Sequence, residues 1–270
     1  MATTPLEFKA RRIGNVNWLG LWTFYLREVH RFFKVFTQTV AAPAITTLLF
    51  LVIFVVALGR EGRVILGLPF AAFLVPGLIA MAVIQNAFAN TSSSLIIGKV
   101  QGTLQDILMP PLSNVELLVG YVLSGTTRGL LVGGAVWLST SFWPQVIALP
   151  ANPLSFLYFT VSAAVMLSML GVITGLWAEK FDHAATITNF VIQPLSLLSG
   201  TFYSLERLPG VWAQVSAFNP FFYMIDGTRY GLTGVSDGDV LMGAAITLAL
   251  NVGLFLICLQ LFKRGYKIRP

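Results

Sequence analysis

Charged residues divide this chain into long uncharged runs, and that division limits its fold more than any other feature. Val35–Gly59, Val64–Gly98, Gly129–Ala178, His183–Leu205 and Val240–Phe262 contain no Asp, Glu, Lys or Arg. A helix needs about 20 predominantly apolar residues to cross a hydrocarbon layer roughly 30 Å thick. The run after Arg128 is too long for one crossing, and Pro144, Pro150, Asn152 and Pro153 break it, residues that punctuate a helix rather than continue it. Dividing it there, and starting the upstream helix near Asn114, predicts six spans: 36–58, 68–90, 115–142, 153–178, 184–203 and 239–262. The expected fold class is an all-α integral membrane protein.

Composition supports this reading. Of the 270 residues, 56% are apolar and only 10% charged, against about 45–50% and about 25% in an ordinary soluble domain. That leaves too little polar surface to coat a water-facing globule, and it excludes a disordered, collagenous or disulfide-framed chain. The single cysteine, Cys258, permits no internal disulfide. A net charge of +6 does not argue for nucleic acid as a partner, because the cations sit at the edges of apolar runs, as they do on the cytoplasmic flanks of membrane proteins. Residues 1–34 lack the apolar core and small-residue cleavage site of a secretory signal.

Six crossings put both termini on one side, and the distribution of cations selects it. With the N-terminus inside, Lys9, Arg11, Arg12, Arg27, Arg31, Lys34, Lys99, Lys180, Lys263, Arg264, Lys267 and Arg269 are cytoplasmic, against Arg60, Arg63, Arg207 and Arg229 outside. The expected organisation is a cytoplasmic tail with an interfacial amphipathic helix over 1–34, a six-span domain over 35–265, and a cytoplasmic tail over 266–270.

Four segments carry candidate function. In Asn17–Lys34, Trp18, Trp22, Tyr25, Val29 and Phe33 recur at helical spacing, with Arg27, Arg31 and Lys34 on another face. This suits a helix lying in the membrane interface, or else the charged start of the first span. In the link after the second span, Thr103 and Asp106 are spaced like a capping box. Leu104, Ile107 and Leu108 then form an apolar face before Pro110 and Pro111 stop the helix, and Ser113 or Asn114 caps the next one. Such a knuckle either docks in a partner's groove or is a connector whose leucines lie among lipid headgroups.

Arg128 falls near the middle of the third span, beside Gly125, Gly129 and Gly133. An ionisable group at that depth is costly and marks function by default, although an arginine bonded to carbonyls for folding alone is the plainer alternative. The glycines offer a face for close helix approach. Finally, Tyr203–Gly238 contains two short apolar segments around Asn219-Pro220, with Asp226 and Arg229 spaced to pair on one helix face. Short outer re-entrant or interfacial helices are expected there, with a structural lid as the simpler alternative.

No phosphate-cradling Gly-x-x-x-x-Gly-Lys-Ser/Thr, no His-Glu-x-x-His, no cysteine pair and no Ser–His–Asp set is legible. His30 and His183 stand apart. The spans also lack a chain of ionisable groups for proton relay.

Three segments resemble the type-2 ABC exporter permeases. They are Gly102-Thr103-Leu104 with Asp106-Ile107-Leu108-Met109-Pro110, similar to the family's coupling-helix region; Leu198-Ser199-Gly200-Thr201-Phe202-Tyr203-Ser204-Leu205-Glu206-Arg207-Leu208-Pro209; and Asn219-Pro220-Phe221-Phe222-Tyr223-Met224-Ile225-Asp226-Gly227-Thr228-Arg229, similar to its outer hairpin. Lys99-Val100-Gln101 stand where many members carry acidic residues. The resemblance implies a homodimer of six-span subunits in the bacterial inner membrane, each docked on a separate ATPase subunit. ATP and magnesium would be held there, leaving this chain without a cofactor, metal or catalytic residue of its own. Coupling would fall to Gly102, Thr103, Leu104, Asp106, Ile107, Leu108 and Pro110; Arg128 would serve translocation; Asn219, Pro220, Asp226 and Arg229 would shape the outer hairpin. A self-sufficient channel or ion-coupled carrier is the alternative.

Overall fold

The computed structural model describes residues 14–58, 64–143, 146, 149–205 and 210–267. Lys9, Arg11, Arg12, Arg60, Arg63, Pro144, Glu206, Arg207, Leu208, Pro209 and Arg269, used above for orientation, a break or a motif, lie outside these residues. The chain runs through α1 (Trp18–Phe33), a π turn (Thr37–Ala41), α2 (Ala42–Leu58), a two-stranded hairpin of β1 (Val64–Ile65) and β2 (Leu68–Pro69), α3 (Phe70–Val100), α4 (Leu104–Leu108) and α5 (Asn114–Thr140). It continues through α6 (Pro153–Trp177), α7 (Phe181–Ile187), a second π turn (Thr188–Ile192), α8 (Gln193–Leu197), α9 (Gly210–Phe218), α10 (Pro220–Thr233) and α11 (Val240–Lys263).

Five helices among the described residues are long and apolar enough to cross a membrane: Thr37–Val56, Phe70–Val100, Asn114–Thr140, Pro153–Trp177 and Val240–Lys263. The fifth predicted span differs from its expected 184–203. Helical backbone there runs from Phe181 to Leu197 and stops where Gly200 takes φ +73°, a left-handed conformation suited to glycine. The second predicted span, placed over 68–90, is instead a helix reaching Val100. Its polar second half, Asn90-Thr91-Ser92-Ser93-Ser94, hid this continuation. At about 1.5 Å per residue α3 is roughly 46 Å long, well beyond the hydrocarbon thickness.

Helix α3 is the axle of the bundle. It packs on α6, α5 and α10, and 89% of its most apolar window is buried. Small residues let the neighbours approach: a Cβ on Gly129 would lie 2.9 Å from the Val83 carbonyl oxygen, and one on Gly171 would lie 2.5 Å from that of Phe88. The predicted Gly125, Gly129 and Gly133 face is therefore spent on α3 and, at Gly125, also on Ser168 of α6. By contrast, only 22% of the α2 window and 11% of the α11 window are buried. These two helices present most of their apolar surface outwards.

Caps account for several boundaries. Ser113 and Glu116 form a full capping box on α5, and Asp239 accepts from the Leu241 and Met242 amides to start α11. Pro220 at the first turn of α10 follows the N-cap Asn219, and Gly234 closes the helix at φ +77°. The two π turns share a spacing: each begins at a threonine, and a proline, Pro43 or Pro194, stands six residues on. A proline ring collides with the carbonyl four residues back, and widening the turn relieves that collision.

Candidate functional site

Helix α4 stands beyond the far end of α3, and here the structure corrects the sequence reading twice. The Thr103 side chain makes no capping bond, and its backbone is already helical, so the capping box with Asp106 is absent. The apolar face is not offered outwards. Leu104 and Ile107 are buried, pack with Phe24, Leu117 and Leu118, and close over Gly98, with Leu108 alongside. A hydrophobic side chain near its own core gains more from burial there than from waiting in water for a partner. The outward surface of the knuckle consists instead of Gln101, Gly102, Gln105, Asp106, Met109 and Pro110, with Gly102 at φ +70° making the bend.

Helix α1 is held to the bundle by polar contacts. Of its predicted aromatic stripe, Trp18, Trp22 and Phe33 face away from the protein, Trp18 at 72% and Trp22 at 57% exposure, whereas Tyr25 is half-buried with its hydroxyl 2.9 Å from Thr127 Oγ1. Phe24, Glu28 and Phe32 form the packed face. The Glu28 carboxylate accepts from Arg31 Nε at 3.1 Å and from Ser94 Oγ at 2.6 Å. Arg31 Nη2 donates to both the carbonyl and side-chain oxygens of Asn90, and Asn90 Nδ2 donates to Ser124 Oγ. Helices α1, α3 and α5 are thereby joined in one network. Glu116 adds a second tie, accepting the Asn17 amide at 2.5 Å while it caps its own helix. Neither Glu28 nor Glu116 was singled out from sequence. The signal available was an acid in each case near an otherwise apolar helix, and for Glu116 the Ser113-x-x-Glu spacing.

Arg128 lies one turn of α3 away from this network. Its Nη2 reaches Asn86 Oδ1 at 3.3 Å, its Nε is buried without a hydrogen-bond partner, and no carboxylate pairs with it among the described residues. Asn86 also lines a cavity of about 430 Å³ between α2 and α3. Gln38, Thr46, Gln85 and Thr188 supply further polar groups there, and each π turn contributes one of these residues. Wide turns of this kind recur at functional sites. The cavity is an uncharged groove of mixed polar and apolar lining, with the Arg128 cation bonded to Asn86 on one of its walls.

At the opposite end of the bundle, the Asp226–Arg229 pair is present and buried. Arg229 Nη1 lies 3.0 Å from Asp226 Oδ1 and 4.0 Å from Asp237 Oδ2, Nη2 donates to the Gly200 carbonyl at 2.5 Å, and the guanidinium sits 4.1 Å from the Phe73 ring centroid. Asp226 accepts the amides of Asp237 and Gly238, and Asp237 accepts from Ser204 Oγ and the Leu205 amide. Asn219 Nδ2 bonds the Leu195 carbonyl, while its Oδ1 accepts the Phe221 amide beside Pro220. The arrangement joins α10 to the turn after α8 and to the start of α11. Asp237 was absent from the sequence reading, because no local spacing connects it to Arg229.

Near the C-terminus, Lys267 Nζ lies 2.7 Å from Glu179 Oε1. That hydrogen bond holds the Glu179 carboxyl below its usual range and raises the Lys267 ammonium above its own. Lys99 Nζ donates to the carbonyls of Leu176 and Ala178, closing the end of α6. The His183 ring lies tilted against that of Trp177, their centroids 5.2 Å apart.

A bundle of long apolar helices, with a groove of mixed lining among them and an outlying short helix beyond the end of α3, defines a multi-pass membrane protein. Residues 20–233 match the family model described as "ABC-2 type transporter", and the chain belongs to that family. It is 36% identical to the inner membrane transport permease YadH of Escherichia coli strain K12 over 253 residues, covering 93% of this chain and 98% of the relative. It is 26% identical to nodulation protein J of Rhizobium leguminosarum bv. viciae over 263 residues, covering 93% and 95%.

Proposed function

We propose that this chain is the membrane-spanning permease subunit of an ATP-driven ABC exporter in a bacterial inner membrane. Two copies form the translocation path, and each docks on a separate ATPase subunit. In this reading the Phe181–Leu197 helical run, with the turn after it, completes a sixth crossing. The α9–α10 pair forms an outer re-entrant hairpin, and both termini are cytoplasmic. The exposed faces of α2 and α11 supply surface for the second copy and for lipid.

The observation that supports coupling is the outward edge of α4. It places Gln101, Gln105, Asp106 and Met109 on the turn and short helix that directly follow α3, the most buried of the five long helices. A push on that edge is carried along α3, which contacts α5, α6 and α10 and lines the groove that contains Asn86. Leu104 and Ile107 hold the knuckle in place, and its outward edge is what the ATPase engages. Within the path, Arg128 and Asn86 are the groups that meet cargo.

The test is co-purification with the ATPase subunit and nucleotide-driven cargo flux in proteoliposomes. The double variant Asp106→Arg, Met109→Asp is expected to detach the ATPase or uncouple hydrolysis from flux while the permease stays folded. Flux from the permease alone under an ion gradient, without nucleotide or ATPase, would overturn the proposal in favour of a self-sufficient carrier.

A further inference from the structure

We infer that a second cavity, beneath α1, is a binding site for the anionic phosphate headgroup of an amphiphile from the adjoining membrane leaflet. The cavity measures about 410 Å³, within the size range of small-ligand sites. Arg27, His30 and Arg31 line it from α1 and Lys34 from the cap that follows, with Ser94 from the last turns of α3 and Gln101 from its cap. It is separate from the groove that contains Asn86.

The charge balance selects an anion. Among the described residues Glu28 is the one carboxylate lining the cavity, and it is already engaged by Arg31 and Ser94. Arg31 spends its remaining donors chiefly on Asn90. Arg27 and Lys34 are exposed, and no carboxylate lies within ion-pair distance of either among the described residues. Asp106 lines a neighbouring cavity together with Arg27 but forms no ion pair with it. Arg27 and Lys34, without an ion-pair partner among the described residues, and the exposed Gln101 amide on the same lining match the charge and hydrogen-bonding needs of a phosphate diester.

The surroundings select an amphiphile over a soluble anion. The same helix turns Trp18, Trp22 and Phe33 outwards, and Phe36 just after it is also exposed. Aromatic side chains of this kind settle at the headgroup level of a bilayer, and basic residues beside them attract anionic lipid. Acyl chains lying against the aromatic side would bring their headgroup level with the cavity. The inference depends on the permease proposal only for naming the leaflet as the inner one.

The experiment uses the full chain purified in neutral detergent, without ATPase or nucleotide, so its outcome is independent of whether the chain is an exporter subunit. Native mass spectrometry would compare retention of dioctanoyl phosphatidylglycerol with dioctanoyl phosphatidylcholine, with inorganic phosphate as competitor. The anionic lipid is expected to be retained about tenfold or more over the zwitterionic one. Arg27→Gln with Lys34→Gln should abolish that preference at an unchanged thermal midpoint, and Arg27→Lys with Lys34→Arg should retain it. Equal retention of the two lipids by the unaltered chain, or an unchanged preference in the glutamine variant, would overturn the inference. Displacement of the lipid by an equal concentration of inorganic phosphate would overturn the amphiphile assignment, and this comparison stands even if the glutamine variant fails to fold.

Discussion

The Asp226 carboxylate meets the Arg229 guanidinium at 3.0 Å where Arg229 has no solvent exposure at all. The pair is one turn apart on α10, yet its remaining bonds go to residues far along the chain: Gly200 on one side, Asp237 and Gly238 on the other. A local pair of charges thus fixes the relation of three separate segments.

Removing one partner leaves the other charge buried and uncompensated, which typically costs about 3–5 kcal/mol. Asp226→Asn and Arg229→Met should each lower the thermal midpoint of the purified protein sharply. The double substitution should be less damaging than the two single losses added together. Additive losses, measured by a double-mutant cycle in detergent, would mean that the pair is not energetically coupled.

Arg128 behaves oppositely. Among the described residues it has a single amide partner and no carboxylate, so Arg128→Met relieves a poorly compensated charge instead of creating one. The thermal midpoint is expected to hold or rise while cargo flux falls. Parallel loss of folded yield and flux would assign Arg128 to folding.

For the knuckle, Leu104→Asp places a charge in a buried contact with Phe24 and Leu117 and should destabilise the permease even without its partner. The fully outward Gln105→Ala should leave stability unchanged within about 0.5 kcal/mol. A stable Leu104→Asp protein would contradict the inward placement of that face.

Glycines give a sharp contrast. A Cβ at Gly231 would sit 2.4 Å from backbone atoms of Phe156, whereas one at Gly134 meets nothing within 4 Å. Gly231→Ala should therefore abolish or severely reduce folded yield, since backbone cannot step aside. Gly134→Ala, in mid-helix, should stabilise by about 0.5–1 kcal/mol. Similar midpoints for the two variants would refute the close approach of α6 and α10.

The sequence alone determined the membrane character, the approximate position of five long helices, the break at Pro150–Pro153 and the spacing that lets Asp226 reach Arg229. These follow from local rules: length of uncharged run, proline chemistry and helical period act along the chain and need no neighbour. Only the tertiary structure decided that Leu104 and Ile107 turn inwards, that Glu28 closes a network through Asn90, and that Asp237 joins a pair first legible as two residues. Each depends on which helix lies beside which. An apolar face can be buried equally well against its own bundle or against a partner, and periodicity shows that a face exists without showing what will cover it.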